Sequence, residues 1–537
     1  MVHSPKYATV MTLTWAAAPL LYAIPDNLLT TIEPGMLVEI PFGKSIECGI
    51  VYEIFDHLPC KTDFTVKNIT QLLYPCALIG HDILELIQWI SNYYVASPKC
   101  VAEAVIPSAI RKLVNPKISV TLEIASKLAD DVLSQLQKKS PKQFEIYQRL
   151  LTSSSPVYKN TIKSVSALRA LVDKKIVIEN FVQIPRIEYH DKFGNDHIQK
   201  KSIVLNSEQR MAADDIISSI NKKTFCTHLL HGITGSGKTE VYIEAINRVL
   251  EQNGDVIMLV PELTLTPQTV SRIRNGIFKY NDRVLVWHSG LSEGERRDAW
   301  LALSRGDAKI VIGARSAIFS PLKNLKLVIV DEEHEPSYKQ SDSPRYHARD
   351  VAVYRAKLND AVCVLGSATP ALESLYNAQI GKYRLNTLKH RVDQSILPKV
   401  EIVNMQQENR QKIISSHLQN MIDDRLNKHE QIILFLNRRG YATIVLCKAC
   451  NYSAQCPRCS VSLTYHSDQR KLLCHLCGYE EPLPVRCPVC GSVDILQRGI
   501  GSQKLEQVTN MIFPGARIAR VDSDTIAHKN AMQVVLN

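Results

Sequence analysis

The 537-residue chain has no apolar run approaching the roughly 18 to 20 residues that a membrane-spanning helix requires. Its most tempting early stretch, residues 15–24, is broken by Pro19 and Tyr22 and has no clean small-residue cleavage site after it, which argues against an anchor and a secretory signal. Internal repeats and long low-complexity tracts are missing, so a repeat array is excluded. Neither sign of charge dominates: Lys plus Arg total 64 against 53 for Asp plus Glu, and the net +11 favours a polyanionic partner without naming one. Apolar residues at 45% and charged residues at 22% are ordinary for a globular chain and exclude disorder. The length corresponds to roughly three to four domains.

Fourteen cysteines are present, but eight of them form four CxxC pairs within 44 residues, which is metal-site spacing in a reducing compartment rather than a disulfide framework. Along the chain, residues 1–110 carry short β-like runs, LVEIPFG (37–43) and GIVYEIF (49–55), then a helical stretch at 83–94. Residues 111–190 change pattern. KQFEIYQRLL reads as a helix, Val165, Leu168, Leu171 and Val172 share one helical face, and IVIENFVQI reads as a strand pair, an order that suggests a winged helix. Lys163, Arg169, Lys174 and Lys175 there either meet phosphates or form a solvated basic face. Residues 191–202 read as a linker.

Between 203 and 395, six apolar strand candidates alternate with helical segments: THLLHG, DVIMLVP, RVLVWHS, AKIVIG, LKLVIVDEEH and AVCVLGSATP. That rhythm belongs to a parallel sheet covered by helices. A second α/β segment spans 396–537, with QIILFLN (431–437) as its clearest strand and the cysteine cluster, 446–491, inserted after it.

Gly232, Ile233, Thr234, Gly235, Ser236, Gly237, Lys238 and Thr239 match GxxxxGK[ST] between a strand and a helix. The glycines let backbone N–H groups converge on phosphate oxygens at a helix N-terminus. Lys238 is then expected on the β- and γ-phosphates of ATP or GTP and the Thr239 hydroxyl on Mg2+. About ninety residues on, an apolar strand ends in DEEH (331–334). Asp331 is expected to reach Mg2+, and Glu332 to orient or deprotonate the attacking water.

The combination of GITGSGKT, DEEH and GSATP (366–370) resembles the superfamily 2 helicases. The flanking LVPELTLTPQ, WHSGLS, GARSAIFSP and LFLNRRGYA, with the CxxC cluster, resemble the PriA family of primosomal replication-restart helicases over most of the chain. The resemblance implies an α/β multidomain fold: an N-terminal domain (1–110) that binds a 3′ DNA end, a winged helix (111–190), and RecA-like helicase lobes at 203–395 and 396–537, the second incomplete and carrying a zinc-ribbon-like insertion. It places Gln209 on adenine and gives His334, Ser367 and Thr369 the coupling of nucleotide state to DNA grip. It assigns DNA contacts to Tyr22, Phe42, Gly43, Lys44 and Arg315, and to an aromatic-rich loop at 338–350 with Tyr338, Arg345, Tyr346 and Arg349. Tyrosines there would stack bases while the cations meet phosphates. Only Tyr22 keeps the aromatic character of the family's segment before PFGK.

Eight thiolates suit two closed, structural zinc sites of four cysteines each. The SVSLTYH and KLLC segments can form a hairpin that joins Cys456, Cys459, Cys474 and Cys477, leaving Cys447, Cys450, Cys487 and Cys490 to close around it; spacing alone also permits sequential pairing, and the resemblance implies the nested one.

The GIGSQKLEQ segment (499–507) carries Ser502 and Gln503 where the family usually has Thr-Glu, and the chain stops at Asn537, before the family's later helicase motifs and their γ-phosphate arginines. Two readings follow. One is an ATP-dependent 3′-to-5′ DNA helicase of the bacterial cytoplasm and nucleoid, recognising abandoned forks and single strands, with single-strand-binding protein, primosome proteins and the replicative helicase or its loader as partners. The alternative is an ATP-binding, catalytically weak fork-recognition scaffold. An RNA or chromatin translocase is disfavoured by the cysteine spacing and PFGK.

Overall fold

The computed structural model describes residues 7–13, 19–58, 65–153, 155–183, 186, 204–262, 265–393, 398–405, 408, 412–436, 443–447, 449–450, 452–466, 471–474, 476–498 and 502–521. The expected linker 191–202 lies outside them, as do residues 437–442 of LFLNRRGYA and 499–501 of GIGSQKLEQ. The chain falls into two compact units, Met1–Ile396 and Leu397–Asn537.

The first unit opens with an antiparallel sheet in the order Leu20–Ala23, Tyr7–Thr12, Ser45–Phe55, Leu37–Phe42, Gln71–Leu72. Because side chains alternate along a strand, the sheet serves two cores. Val38 and Ile40 pack with Ala8, Val10 and Tyr22 on one face, whereas Leu37, Met11 and Ile50 join helices His81–Tyr93 and Pro98–Val105 on the other. That second core is continuous with one face of the large sheet further along the chain.

Next come helices Asp130–Lys139, Pro141–Thr152 and Val165–Asp173 with an antiparallel sheet ordered Val157–Tyr158, Ile118–Ile124, Val177–Gln183. The strand pair expected within IVIENFVQI is instead one strand, which pairs with Ile118–Ile124. A tight hairpin needs residues suited to positive φ, and IENF offers no glycine. In helix Val165–Asp173, Ala167, Leu168 and Leu171 are buried, while Val165 in the first turn is exposed.

All six strands expected between 203 and 395 are present, in a fully parallel sheet ordered Val284–Trp287, Ile310–Gly313, Asp255–Leu259, Leu325–Asp331, Val362–Ser367, Cys226–Gly232, Arg384–Leu388. The seventh, Arg384–Leu388, had no apolar signature because it is an edge strand with exposed side chains. The central strands read as continuous apolar runs because both faces are covered. Val328 and Val330 enter the core shared with the N-terminal helices; Leu327 and Ile329 enter the other, under helices Ser207–Lys222 and Lys238–Glu251. The carboxyl ends of Cys226–Gly232, Leu325–Asp331 and Val362–Ser367 therefore lie along one edge, the usual ligand edge of an open parallel sheet.

The second unit contains helices Ser416–Asn427 and Ser502–Ile512 and an antiparallel sheet ordered Glu480–Pro482, Lys471–Leu473, Thr464–His466, Thr443–Cys447, Ile495–Arg498. The strand expected at 431–437 is not formed over 431–436. Ile432 and Leu434 do pack beside Ile422 of the helix while Ile433 and Phe435 are exposed, so the alternation is real; what is missing among the described residues is a ladder partner.

Candidate functional site

Strand Cys226–Gly232 runs into the glycine loop, and helix Lys238–Glu251 starts from Gly237, whose φ of 80° suits glycine. A side chain at Gly237 would collide with the Gln209 amide, and a Cβ at Gly232 would sit 2.6 Å from Ser236 Oγ. Ser236 Oγ is buried and has no hydrogen-bond partner among the described residues. A tight loop at a helix start with an unsatisfied hydroxyl fits a bound phosphate. A cavity of about 370 Å³ is lined by residues 233–239 with Gln209, Asp331 and Glu332.

Lys238 Nζ donates to the Gly232 carbonyl at 3.1 Å and pairs with Glu332 Oε1 at 3.4 Å, so its charge is held within the loop. Gln209 lines the same cavity. Its Oε1 accepts from Asn206 N at 2.9 Å, and its Nε2 donates to Ser236 O at 2.8 Å. Both ends of the amide cap a helix and brace the phosphate loop at the wall of the cavity.

Asp331 ends its strand on that same edge. Tyr242 Oη donates to Asp331 Oδ1 at 3.0 Å, and Tyr338 Oη donates to the Asp331 carbonyl at 2.7 Å. Burial pushes the Asp331 carboxyl above its ordinary value and the neighbouring Glu332 charge adds to this; the Tyr242 hydrogen bond and Lys238 pull the other way. Two adjacent acids so placed favour a bound cation. Glu332 has φ of 46°, a left-handed conformation uncommon for a side chain of this kind and one that clusters at functional sites.

The structure also brings the three coupling candidates together. His334 Nδ1 and Ser367 Oγ share a hydrogen bond of 2.7 Å, and Thr369 N donates to Ser367 Oγ at 3.0 Å. Glu333, missed in the sequence because a run of acids reads as a solvated turn, is fully buried. It accepts from Ala371 N at 2.7 Å and Ser374 Oγ at 2.9 Å, and pairs with Arg349 at 3.2 Å.

The expected DNA contacts stand in different settings. Tyr338 and Tyr346 are each 1% exposed, so their rings are closed to base stacking in this conformation. Burial pushes the Tyr346 hydroxyl up to about 12, and Arg315 lies over its ring at 5.9 Å. Tyr22 is likewise buried, its hydroxyl on the Pro41 carbonyl at 3.2 Å. Arg349 spends its guanidinium on Glu333 and Asp350 instead of facing outward. Arg315 is half-buried and donates to the Ser337 and Lys339 carbonyls. Arg345, Gly43 and Lys44 are exposed and Phe42 half-buried. The hydroxyl of a tyrosine can satisfy a buried carbonyl, so an aromatic-rich segment does not by its letters separate core from base platform.

In the second unit, Cys447, Cys450, Cys487 and Cys490 form one cluster and Cys456, Cys459, Cys474 and Cys477 another, with all sulfurs of each within 4.8 Å of one another. Sulfur separations of 3.5 Å for Cys447 to Cys490 and 3.6 Å for Cys456 to Cys477 are close to the about 3.8 Å edge of a tetrahedron with zinc–sulfur bonds of about 2.3 Å. The Cys477 backbone N–H lowers the Cys474 thiol to about 7. Both donor sets fit zinc, which the nested arrangement would hold without an open position.

Family models match in three places: DEAD/DEAH box helicase over residues 198–378, 3′ DNA-binding domain over 10–107, and PriA DNA helicase Cys-rich region over 456–482. The chain is 34% identical to the replication restart protein PriA of Bacillus subtilis over 590 residues, covering 97% of this chain and 72% of that protein. The chain belongs to the PriA family. PriA proteins of Chlamydia pneumoniae, at 37% identity over 96% of this chain and 69% of theirs, and Haemophilus influenzae, at 35% over 95% and 69%, show the same breadth. In this PriA-family chain the helicase match spans the glycine loop, DEEH and GSATP, and the Cys-rich match includes the inner cysteine cluster.

Proposed function

We propose that this chain is an ATP-dependent DNA helicase of replication restart that moves 3′ to 5′, recognises stalled or abandoned forks and initiates primosome assembly on them. The reading rests above all on the convergence of the glycine loop, the DEEH acids and the His334–Ser367 pair around one sheet edge in a PriA-family chain. A catalytically weak scaffold is not favoured, because Lys238, Asp331 and Glu332 surround one cavity.

In this reading Gln209 and residues 232–239 bind the nucleotide, and Lys238, Asp331 and Glu332 are catalytic. Loop N–H groups cradle the phosphates, and Lys238 leaves Glu332 to meet the β- and γ-phosphate oxygens. Asp331 and the Thr239 hydroxyl hold Mg2+, which when bound neutralises charge developing on the phosphates. Glu332, relieved of its pairing with Lys238, orients the attacking water and takes its proton. His334 and Ser367 connect the acid turn to the GSATP segment, through which nucleotide state reaches the DNA grip.

We assign 1–110 to 3′ DNA-end binding through Phe42, Gly43 and Lys44, 111–190 to a winged helix, 203–395 to the first helicase lobe, and 396–537 to the second with its zinc-binding insertion at 446–491. Arg315 and Arg345 are the motor's DNA-facing cations. Forked and single-stranded DNA, single-strand-binding protein, primosome proteins and the replicative helicase or its loader are the expected partners, in the bacterial cytoplasm at the nucleoid.

ATP hydrolysis by the chain with and without forked DNA, with Lys238→Ala as control and fork binding as the folding check, tests the proposal. Turnover stimulated by the fork and lost in the variant supports it. Tight fork binding with no turnover in either protein would remove the helicase.

A further inference from the structure

Tyr242 belongs to none of the motifs that carry the nucleotide chemistry, yet it touches two of them. It lies on helix Lys238–Glu251 one turn beyond Lys238, on the same helical face, and is 1% exposed. Its hydroxyl donates to Asp331 Oδ1 at 3.0 Å. Gly366, the first residue of GSATP, stands opposite Asp331 in the parallel ladder, and a Cβ there would collide with the Tyr242 hydroxyl and lie 2.8 Å from its Cζ. One hydroxyl is thus wedged between the end of the acid strand and the start of the coupling segment. A phenylalanine would fill the same core volume, and the hydroxyl is what a core alone does not need. It supplies the donor that keeps a buried carboxylate in one orientation at the cavity wall.

We infer that Tyr242 is a positioning residue for the hydrolysis: its hydroxyl orients the Asp331 carboxylate toward the divalent cation, and the missing side chain at Gly366 makes room for that contact. The inference rests on the assignment of Asp331 to the cation. Without the donor the carboxylate turns freely, so cation binding and turnover weaken together while the phosphate loop keeps its grip on the nucleotide.

The test is the full-length chain carrying Tyr242→Phe, titrated with fluorescent ADP in the presence and absence of Mg2+, with thermal unfolding and fork binding as folding checks. Loss of a hydrogen bond to a charged group should raise the half-saturating Mg2+ concentration about tenfold or more and lower kcat by a similar factor. Affinity for ADP without Mg2+ should stay within about twofold, because the phosphate-loop contacts remain. Asp331→Asn is measured in parallel. If Asp331→Asn loses the Mg2+ enhancement and Tyr242→Phe keeps the parental value, the positioning role is overturned and the cation assignment stands; if Asp331→Asn also keeps it, both fall. Should Tyr242→Phe fail to fold, Gly366→Ala, whose added methyl displaces the hydroxyl, must give the same weakened Mg2+ dependence, and an unchanged dependence there overturns the inference.

Discussion

Arg355 on helix Ala348–Leu358 and Asp82 on helix His81–Tyr93 meet at 2.9 Å with the arginine fully buried. The guanidinium also donates to the carbonyls of Ile318 and Ser320, and Asp82 accepts from Asn359 at 3.1 Å. This network fastens the N-terminal helix to the ATP-binding sheet, beside Trp89 stacked on Tyr354 at 4.2 Å. Asp82→Leu leaves a buried cation without its partner and should destabilise the first unit by about 3 to 5 kcal/mol. The double variant Asp82→Leu/Arg355→Met removes both charges and should recover much of that loss, which urea unfolding of the three proteins would read.

The nucleotide half of this architecture was legible because its chemistry demands particular letters. Only glycine tolerates the φ of 80° at Gly237 and the close approach of Gln209, and a strand covered on both faces must be apolar throughout before it ends in Asp331. The cysteine pairs were legible for the same reason, since thiolate number and spacing are set by the metal. Contacts set by how the chain folds back on itself were not. Glu333 looks like any acid in a solvated turn until Ala371, Ser374 and Arg349 surround it, and Tyr338 looks like a base platform until its hydroxyl finds the Asp331 carbonyl. Nor does the alternation at 431–436 disclose whether a neighbouring strand is there to pair with it.

Glu333 should prove a joint between the acid turn and the segment after GSATP. Glu333→Gln keeps the shape but replaces a charged acceptor of three donors, and leaves Arg349 with less compensation. The expected loss is about 1.5 to 3 kcal/mol of stability, accompanied by weaker stimulation of ATP hydrolysis by forked DNA. Denaturant unfolding and DNA-dependent turnover on one preparation would measure both. Unchanged stability would mean that the carboxylate charge is immaterial at this joint.

The two cysteine clusters are separate donor sets, so their metals should be lost one at a time. Cys474→Ser breaks the inner cluster while leaving Cys447, Cys450, Cys487 and Cys490 intact. Metal analysis should find one zinc per chain in place of the two that the clusters accommodate. Nucleotide binding by the first unit should persist, since the described lining of the cavity at Lys238 belongs to that unit. Loss of both metals from this single substitution would show instead that the clusters fold as one.

Glu332 and Lys238 give the sharpest separation of binding from chemistry. Their 3.4 Å pairing occupies both the ammonium that the phosphates need and the carboxylate that the water needs. Glu332→Gln therefore has two opposite consequences. Removing the base should lower turnover by about 10² to 10⁴-fold, the usual contribution of a positioned general base. Removing its charge also frees Lys238, so ATP affinity should hold or rise. Glutamine makes the same backbone demands as glutamate at φ of 46°, so the turn itself is not disturbed. Equilibrium binding of fluorescent ATP with single-turnover hydrolysis distinguishes the cases: tight binding with slow chemistry assigns the base to Glu332, whereas affinity and turnover falling together would make it a support for the turn.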